Sequence, residues 1–169
     1  QDCTYRIARD TRFSPDKRPY KSWIGTFIAP KGKKSGYAGY YFQLEPVADG
    51  DSGSNHLLAS GAVCLEPAVL RSIREEVLDH GAEMMQAIRT ASGFALDRSN
   101  RLKRVPTGFP ADSEFADLLR QKDYCLEKQL PEEYVLADNL TDRLVEEFRR
   151  TQPFIDQLNR AIQYAYEEM

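Results

Sequence analysis

Long apolar runs are missing from this chain of 169 residues; none approaches the roughly 20 residues that a membrane-spanning helix needs. Cysteine is scarce, with single residues at positions 3, 64 and 125. That is too few, too widely spaced, for a disulfide scaffold or a structural zinc site, and unpaired thiols point to a cytoplasmic setting. A basic excess is lacking as well. The 23 Lys and Arg stand against 26 Asp and Glu, giving a net charge of −3 and a pI near 5.5. This argues against a general nucleic-acid binder, whose usual footprint is a pI above about 9. Nor is the chain poor in apolar residues: 41% hydrophobic against 29% charged excludes a disordered segment. A chain this long hides about 70% of its unfolded surface, enough for one core, so one domain over residues 1–169 is expected.

The net charge conceals a gradient. Residues 1–36 carry nine basic and three acidic side chains, and the remainder carries 14 basic and 23 acidic ones. A sector of +6 therefore sits on a body of −9. Such asymmetry either marks an anion-binding region or lets the two sectors pair across the surface.

The first half reads as strands. Residues 22–28 alternate Trp23, Gly25 and Phe27 with Ile24, Thr26 and Ile28, and two apolar faces predict an interior strand. Residues 39–44 place Tyr40, Phe42 and Leu44 on one face, and 57–65 form a third run. The segments 29–35 and 47–55 carry the Gly, Lys, Asp and Ser of hairpin loops, which makes the sheet antiparallel. The second half reads as helices. Pro67 suits a first helical position, and Leu70, Ile73, Val77, Met84 and Ile88 keep helical spacing to about Thr90. Gly81 weakens the middle of that helix. A shorter helix is predicted over 112–121 with Asp112 or Ser113 as its cap, and 123–130 is a strand or an extended return. Thr141 is expected to cap a last helix whose stripe is Leu144, Val145, Phe148, Phe154, Leu158 and Ile162. Pro153 is expected to kink or split it. Strands followed by helices imply an α+β fold, with an antiparallel sheet from the first half and helices from the second packed on one face.

One constellation is dense. Residues 6–25 read R-I-A-R-D-T-R-F-S-P-D-K-R-P-Y-K-S-W-I-G. Arg6, Arg9 and Arg12 recur every third residue, which a flat strand would scatter over both faces. The turn signal Ser14-Pro15-Asp16 and the restriction that Pro19 places on Arg18 predict a fold-back before the Trp23 strand. That brings Lys17, Tyr20 and Lys21 towards the arginines. Guanidinium groups offer paired donors to carboxylate or phosphate oxygens, and lysines add point charge. Asp10 would orient an arginine, coordinate a metal or accept a proton, and Tyr20 would donate a hydrogen bond. The alternative is an internal ion network bracing the turn.

The string resembles the signature of a bacterial and fungal family of unknown function, domain of unknown function twenty-four sixty-one. Its pattern is R-x-x-R-D-x-R-F-x-x-x-K-x-P-Y-K-x-x-x-G, and Arg6, Arg9, Asp10, Arg12, Phe13, Lys17, Pro19, Tyr20, Lys21 and Gly25 fill every specified place. Weaker similarities follow in order: Pro67 leading into Leu70-x-x-x-Arg74, Leu102-Lys103-Arg104, Pro106-x-Gly108-Phe109, Leu118-Leu119-Arg120-x-Lys122, then Pro153, Leu158 and Asn159. The resemblance thus runs over essentially the whole chain. Similar proteins carry a helical stretch before the signature, so a missing N-terminal segment is expected, and Thr107 stands where they tend to have a basic residue. The resemblance implies a site and names no reaction.

Other motifs are declined. Gly50-Asp51-Ser52-Gly53 resembles a protease nucleophile, but no histidine precedes it. Asp49 and Asp51 match the start of a calcium loop that lacks its glutamate. His56 with Cys64, or His80 with Cys125, lacks a third partner, and Cys64 reads as a buried small hydrophobe. At least two of Tyr40, Tyr41 and Phe42 belong in the core rather than on a base-stacking platform. The 31–34 lysines form a solvated loop. The expectation is a cleft for a small anionic ligand, phosphate- or carboxylate-bearing, held by Arg6, Arg9, Arg12, Lys17 and Lys21. Asp10 and Tyr20 are the candidate catalytic groups. No metal, membrane or nucleic-acid partner is expected, and no motif names a cofactor. The alternative is a non-enzymatic interaction module with the signature as a brace.

Overall fold

A computed structural model describes residues 3–46 and 55–169. The expected 47–55 loop, the Gly50–Ser52–Gly53 motif and the aspartates at 49 and 51 lie, all but Asn55, outside the described residues. Five strands form one antiparallel sheet: β1 (Ile24–Ile28), β2 (Gly39–Leu44), β3 (His56–Ala62), β4 (Ala95–Leu96) and β5 (Tyr124–Leu130), in the order β1-β2-β3-β5-β4. The helices are α1 (Pro67–Thr90), α2 (Ala116–Leu119), α3 (Glu132–Val135) and α4 (Leu140–Glu168). The fold is α+β, and two of its strands follow α1. Among the described residues no helix is long and apolar enough to cross a membrane.

Alternation assigns the two faces. Tyr40 and Phe42 of β2, Leu58, Ser60 and Ala62 of β3, and Leu126 of β5 turn towards the helices. Tyr40 lies against Phe148 with ring centroids 5.0 Å apart, so two members of the aromatic run are in the core as expected. Ile73, Val77 and Met84 of α1 and Phe154, Leu158 and Ile162 of α4 are fully buried between the helices and the sheet. Burying one such side chain contributes about 1.5–3 kcal/mol. Polar ties set the helix positions: Thr151 Oγ1 donates to Ser60 Oγ at 2.7 Å, Ser72 Oγ donates to the Ala161 carbonyl at 2.8 Å, and Asn159 bonds both backbone groups of Ala38.

Several expectations are corrected. β1 is an edge strand rather than an interior one. Its outer edge is lined by residues 3–5, with Tyr5 N–H donating to Gly25 O and Phe27 N–H to Cys3 O, both at 2.9 Å. The α1 helix breaks its geometry at His80, beside the weak point at Gly81. A Cβ on Gly81 would stand 2.5 Å from the Phe115 ring, so Phe115 packs directly on the helix backbone. The His80 carbonyl accepts from Gln157 Nε2 at 2.9 Å. Pro153 does not split α4, which runs through it; the carbonyl it deprives belongs to Arg149, an exposed residue. Asn139, not Thr141, precedes α4, and Val145 is exposed. Cys64 is exposed in the β3–α1 connection at a positive φ of 55°, and Cys125 is the buried cysteine.

Candidate functional site

The signature folds back on itself as predicted. Ala8 bridges Tyr20, Arg9 N–H donates to Pro19 O at 2.9 Å, and Lys21 N–H donates to Ile7 O at 3.0 Å. Residues 10–18 form the connecting loop, and one device repeats within it. Asp10-Thr11-Arg12 and Asp16-Lys17-Arg18 are both D-x-R triplets. In each, the aspartate accepts the backbone N–H two residues on, at 3.2 Å for Arg12 and 3.0 Å for Arg18. This is the turn that aspartate favours in loops. The arginine then folds back onto the same carboxylate: Arg12 Nη2 lies 2.7 Å from Asp10 Oδ2, and Arg18 Nη2 lies 2.9 Å from Asp16 Oδ2. Arg9 also pairs with Asp16.

These contacts set the electrostatics. Hydrogen bonds from the Arg12 side chain and backbone hold the Asp10 carboxyl below its usual range, and the Arg6 charge adds to that. Asp16 is held lower still, by Arg18 first and then Arg9. An aspartate so committed is a weak base near neutral pH.

A cleft of about 460 Å³ opens beside this loop, lined by Arg6, Arg9, Arg18 and Lys21, by Asp10 and Asp16, and by Ser22 and Trp23 near β1. Four cations face two carboxylates there. The structure brings together Arg6, Arg9, Asp10 and Lys21 from the predicted set and leaves three others out. Arg12 projects away with a side chain 77% exposed. Lys17 Nζ donates to the Thr11 carbonyl at 2.8 Å, and Tyr20 is 66% exposed. Among the described residues neither Arg6 nor Lys21 has an ion-pair partner. The Lys21 ammonium instead lies 4.2 Å from the Trp23 ring centroid, a cation–π contact.

Asp16, Arg18 and Trp23 are among the lining residues that sequence reasoning did not assign to the site. Trp23 shares a strand face with Gly25, and a Cβ on Gly25 would meet the Tyr41 hydroxyl at 2.6 Å and the Trp23 ring at 2.9 Å. A glycine between two aromatic residues of one strand face was the available signal that rings lie flat there. Downstream, the resemblance at Arg74 has a structural explanation. Arg74 is buried, and its Nε and Nη2 donate to the carbonyls of Leu119 and Gln121, both at 2.9 Å. The histidines of the declined Cys–His pairs are engaged elsewhere: His56 is buried between the Glu45 N–H and Glu132, and His80 faces Glu83. Among the described residues no group of three His, Cys, Asp or Glu side chains is placed to hold a metal ion.

No curated protein and no solved structure matches the chain. A family described as "Conserved hypothetical protein (DUF2461)" matches residues 1–156, from the signature through the sheet and α1 to the middle of α4. Since that match takes in every residue lining the cleft and most of the chain, the protein belongs to the DUF2461 family.

Proposed function

We propose that the protein binds a small organic anion in the signature cleft, with Arg6 and Lys21 as the groups that take its carboxylate or phosphate. The observation that carries this reading is the cleft's charge. Arg9 and Arg18 are held by Asp16, while Arg6 and Lys21 face the same concavity with no carboxylate partner among the described residues. Unpaired cations around a cleft of a few hundred cubic ångströms suit a small anion. Asp10 acts as a brace rather than a proton acceptor, since Arg12 occupies both its oxygens. The ligand is a small molecule rather than nucleic acid or a membrane surface. Three free thiols support a cytoplasmic setting.

Calorimetric titration with inorganic phosphate and with acetate tests the reading. Arg6→Ala and Lys21→Met each weaken binding about tenfold or more, and Arg12→Ala leaves it within about twofold. The reading fails if neither anion binds the wild type beyond the effect of sodium chloride at equal ionic strength. A specific observation favours a second reading, that the signature serves only as a brace. Both D-x-R triplets close on themselves. That reading predicts no anion binding and a loss of stability in Asp16→Ala.

A further inference from the structure

A second concavity, of about 470 Å³, lies on the sheet face turned away from α1 and α4, and it begins where the first ends. Trp23 lines both, so the Lys21 ammonium over its ring marks their junction. The floor is made of residues too small to fill it, Ala59 and Gly61 of β3. The walls are rings, with Tyr5 standing edge-on to Tyr41 at 6.3 Å between centroids. The strand register sets Phe27, Tyr41, Ala59 and Glu127 side by side on neighbouring strands. At ~4.8 Å per strand the trough is ~14 Å long. Lys33 also lines the trough: its ammonium lies 5.4 Å from the Tyr5 ring centroid, as Lys21 does at 6.0 Å, and donates to the Thr4 carbonyl at 2.7 Å. The side at Tyr5 and Trp23 is therefore cationic, the floor is apolar, and the far end carries a carboxyl. Glu127 has no hydrogen-bond or ion-pair partner among the described residues, and burial, together with the charge of Asp97, raises its pKa.

Resting on the anion site proposed above, we infer that the ligand is an aryl-bearing oxyanion with one charged end: the charge lies at Arg6 and Lys21, and the planar body lies in the trough beyond Trp23. The charge gradient sets the orientation, because an anion at the opposite end would meet Glu127. A slot between ring walls and a small-residue floor admits a flat body more readily than a branched one. Aromatic side chains in turn favour edge and offset contacts with another ring.

Calorimetry with four probes tests the inference: inorganic phosphate, phenyl phosphate, acetate and 3-phenylpropionate. Each aryl probe binds about tenfold or more tightly than its bare anion. The phosphate and carboxylate arms tell which oxyanion is preferred. Ala59→Leu, which fills the floor, abolishes the aryl gain and leaves inorganic phosphate within about twofold; Tyr5→Ala, which removes an exposed wall, brings the ratio of aryl to bare-anion affinity to about one. Tyr5 lies outside the strands, so its variant keeps the test open if the Ala59 variant does not fold. Equal affinity for bare and aryl anions overturns the inference while the anion site stands. Binding of neither class removes the anion site and this inference with it. Aryl binding that survives Arg6→Ala makes the trough an independent site, and also overturns the inference.

Discussion

Asp10 holds Arg12 through three hydrogen bonds, from the backbone N–H at 3.2 Å, Nε at 3.0 Å and Nη2 at 2.7 Å. Two residues that sequence alone would nominate as a base and an anion clamp thus satisfy each other. Asp16 does the same for Arg18 and takes Arg9 as well. The loop of the signature is locked by its own charges, and the cleft is left with the cations that the lock does not use.

That lock has a pH signature. Both carboxyls have folded-state pKa values below the ordinary 3.8. A depressed carboxyl contributes stability that is fully present above the unfolded value and is lost as pH falls through the folded one. Carbonyl-carbon NMR should therefore find both aspartates ionised at pH values where free aspartate is half protonated, with Asp16 titrating last. A midpoint at or above 3.8 for either would contradict the pairing.

Trp23 is the only tryptophan in the chain, and the Lys21 ammonium sits over its ring. Its emission therefore reports on the cleft. Saturating inorganic phosphate is expected to change the emission of the wild type and to leave that of Lys21→Met unchanged. Unaltered wild-type emission, at a phosphate concentration that calorimetry shows to be saturating, would put the anion elsewhere.

Arg74 is a buried cation that ties α1 to two backbone carbonyls instead of a carboxylate. Arg74→Ala leaves both carbonyls without a donor and is expected to cost about 2–4 kcal/mol in urea denaturation. Arg74→Lys restores one contact and recovers part of the loss. A cost under about 0.5 kcal/mol for the alanine variant would show that the contacts are idle.

Two of the thiols separate by reactivity. Burial, with help from Glu127, pushes the Cys125 thiol up to about 12, whereas Cys64 is exposed. An aromatic disulfide reagent at pH 8 should modify Cys64 quickly and reach Cys125 only on unfolding. Cys125 reacting as fast as Cys64 in the native protein would refute the burial.

Much of this was legible in the residues. Alternation in 39–44 and three-four spacing in 67–90 and from Phe154 to Ile162 gave the sheet and both long helices, because these elements bury one face each. The two-residue strand β4 and the four-residue helix α3 have too few positions to show a period. The edge position of β1 was hidden because Ile24 and Ile28 read as a second apolar face, yet both are exposed in the fold, at 45% and 52%. At the site, the charge cluster located the cleft, but composition cannot say which arginines are already paired. Trp23 escaped notice because a large aromatic residue in a strand reads first as core.

Residues 3–5 occupy the hydrogen-bonding edge of β1. An open strand edge is a template on which a second chain can pair, and residues 3–5, which lead directly into Arg6, cover that edge of β1. A truncation through residue 6 is therefore expected to open that edge and to remove the Arg6 of the proposed anion site at once. Point substitutions probe the proposed anion site without uncovering the β1 edge, and truncations confound the two.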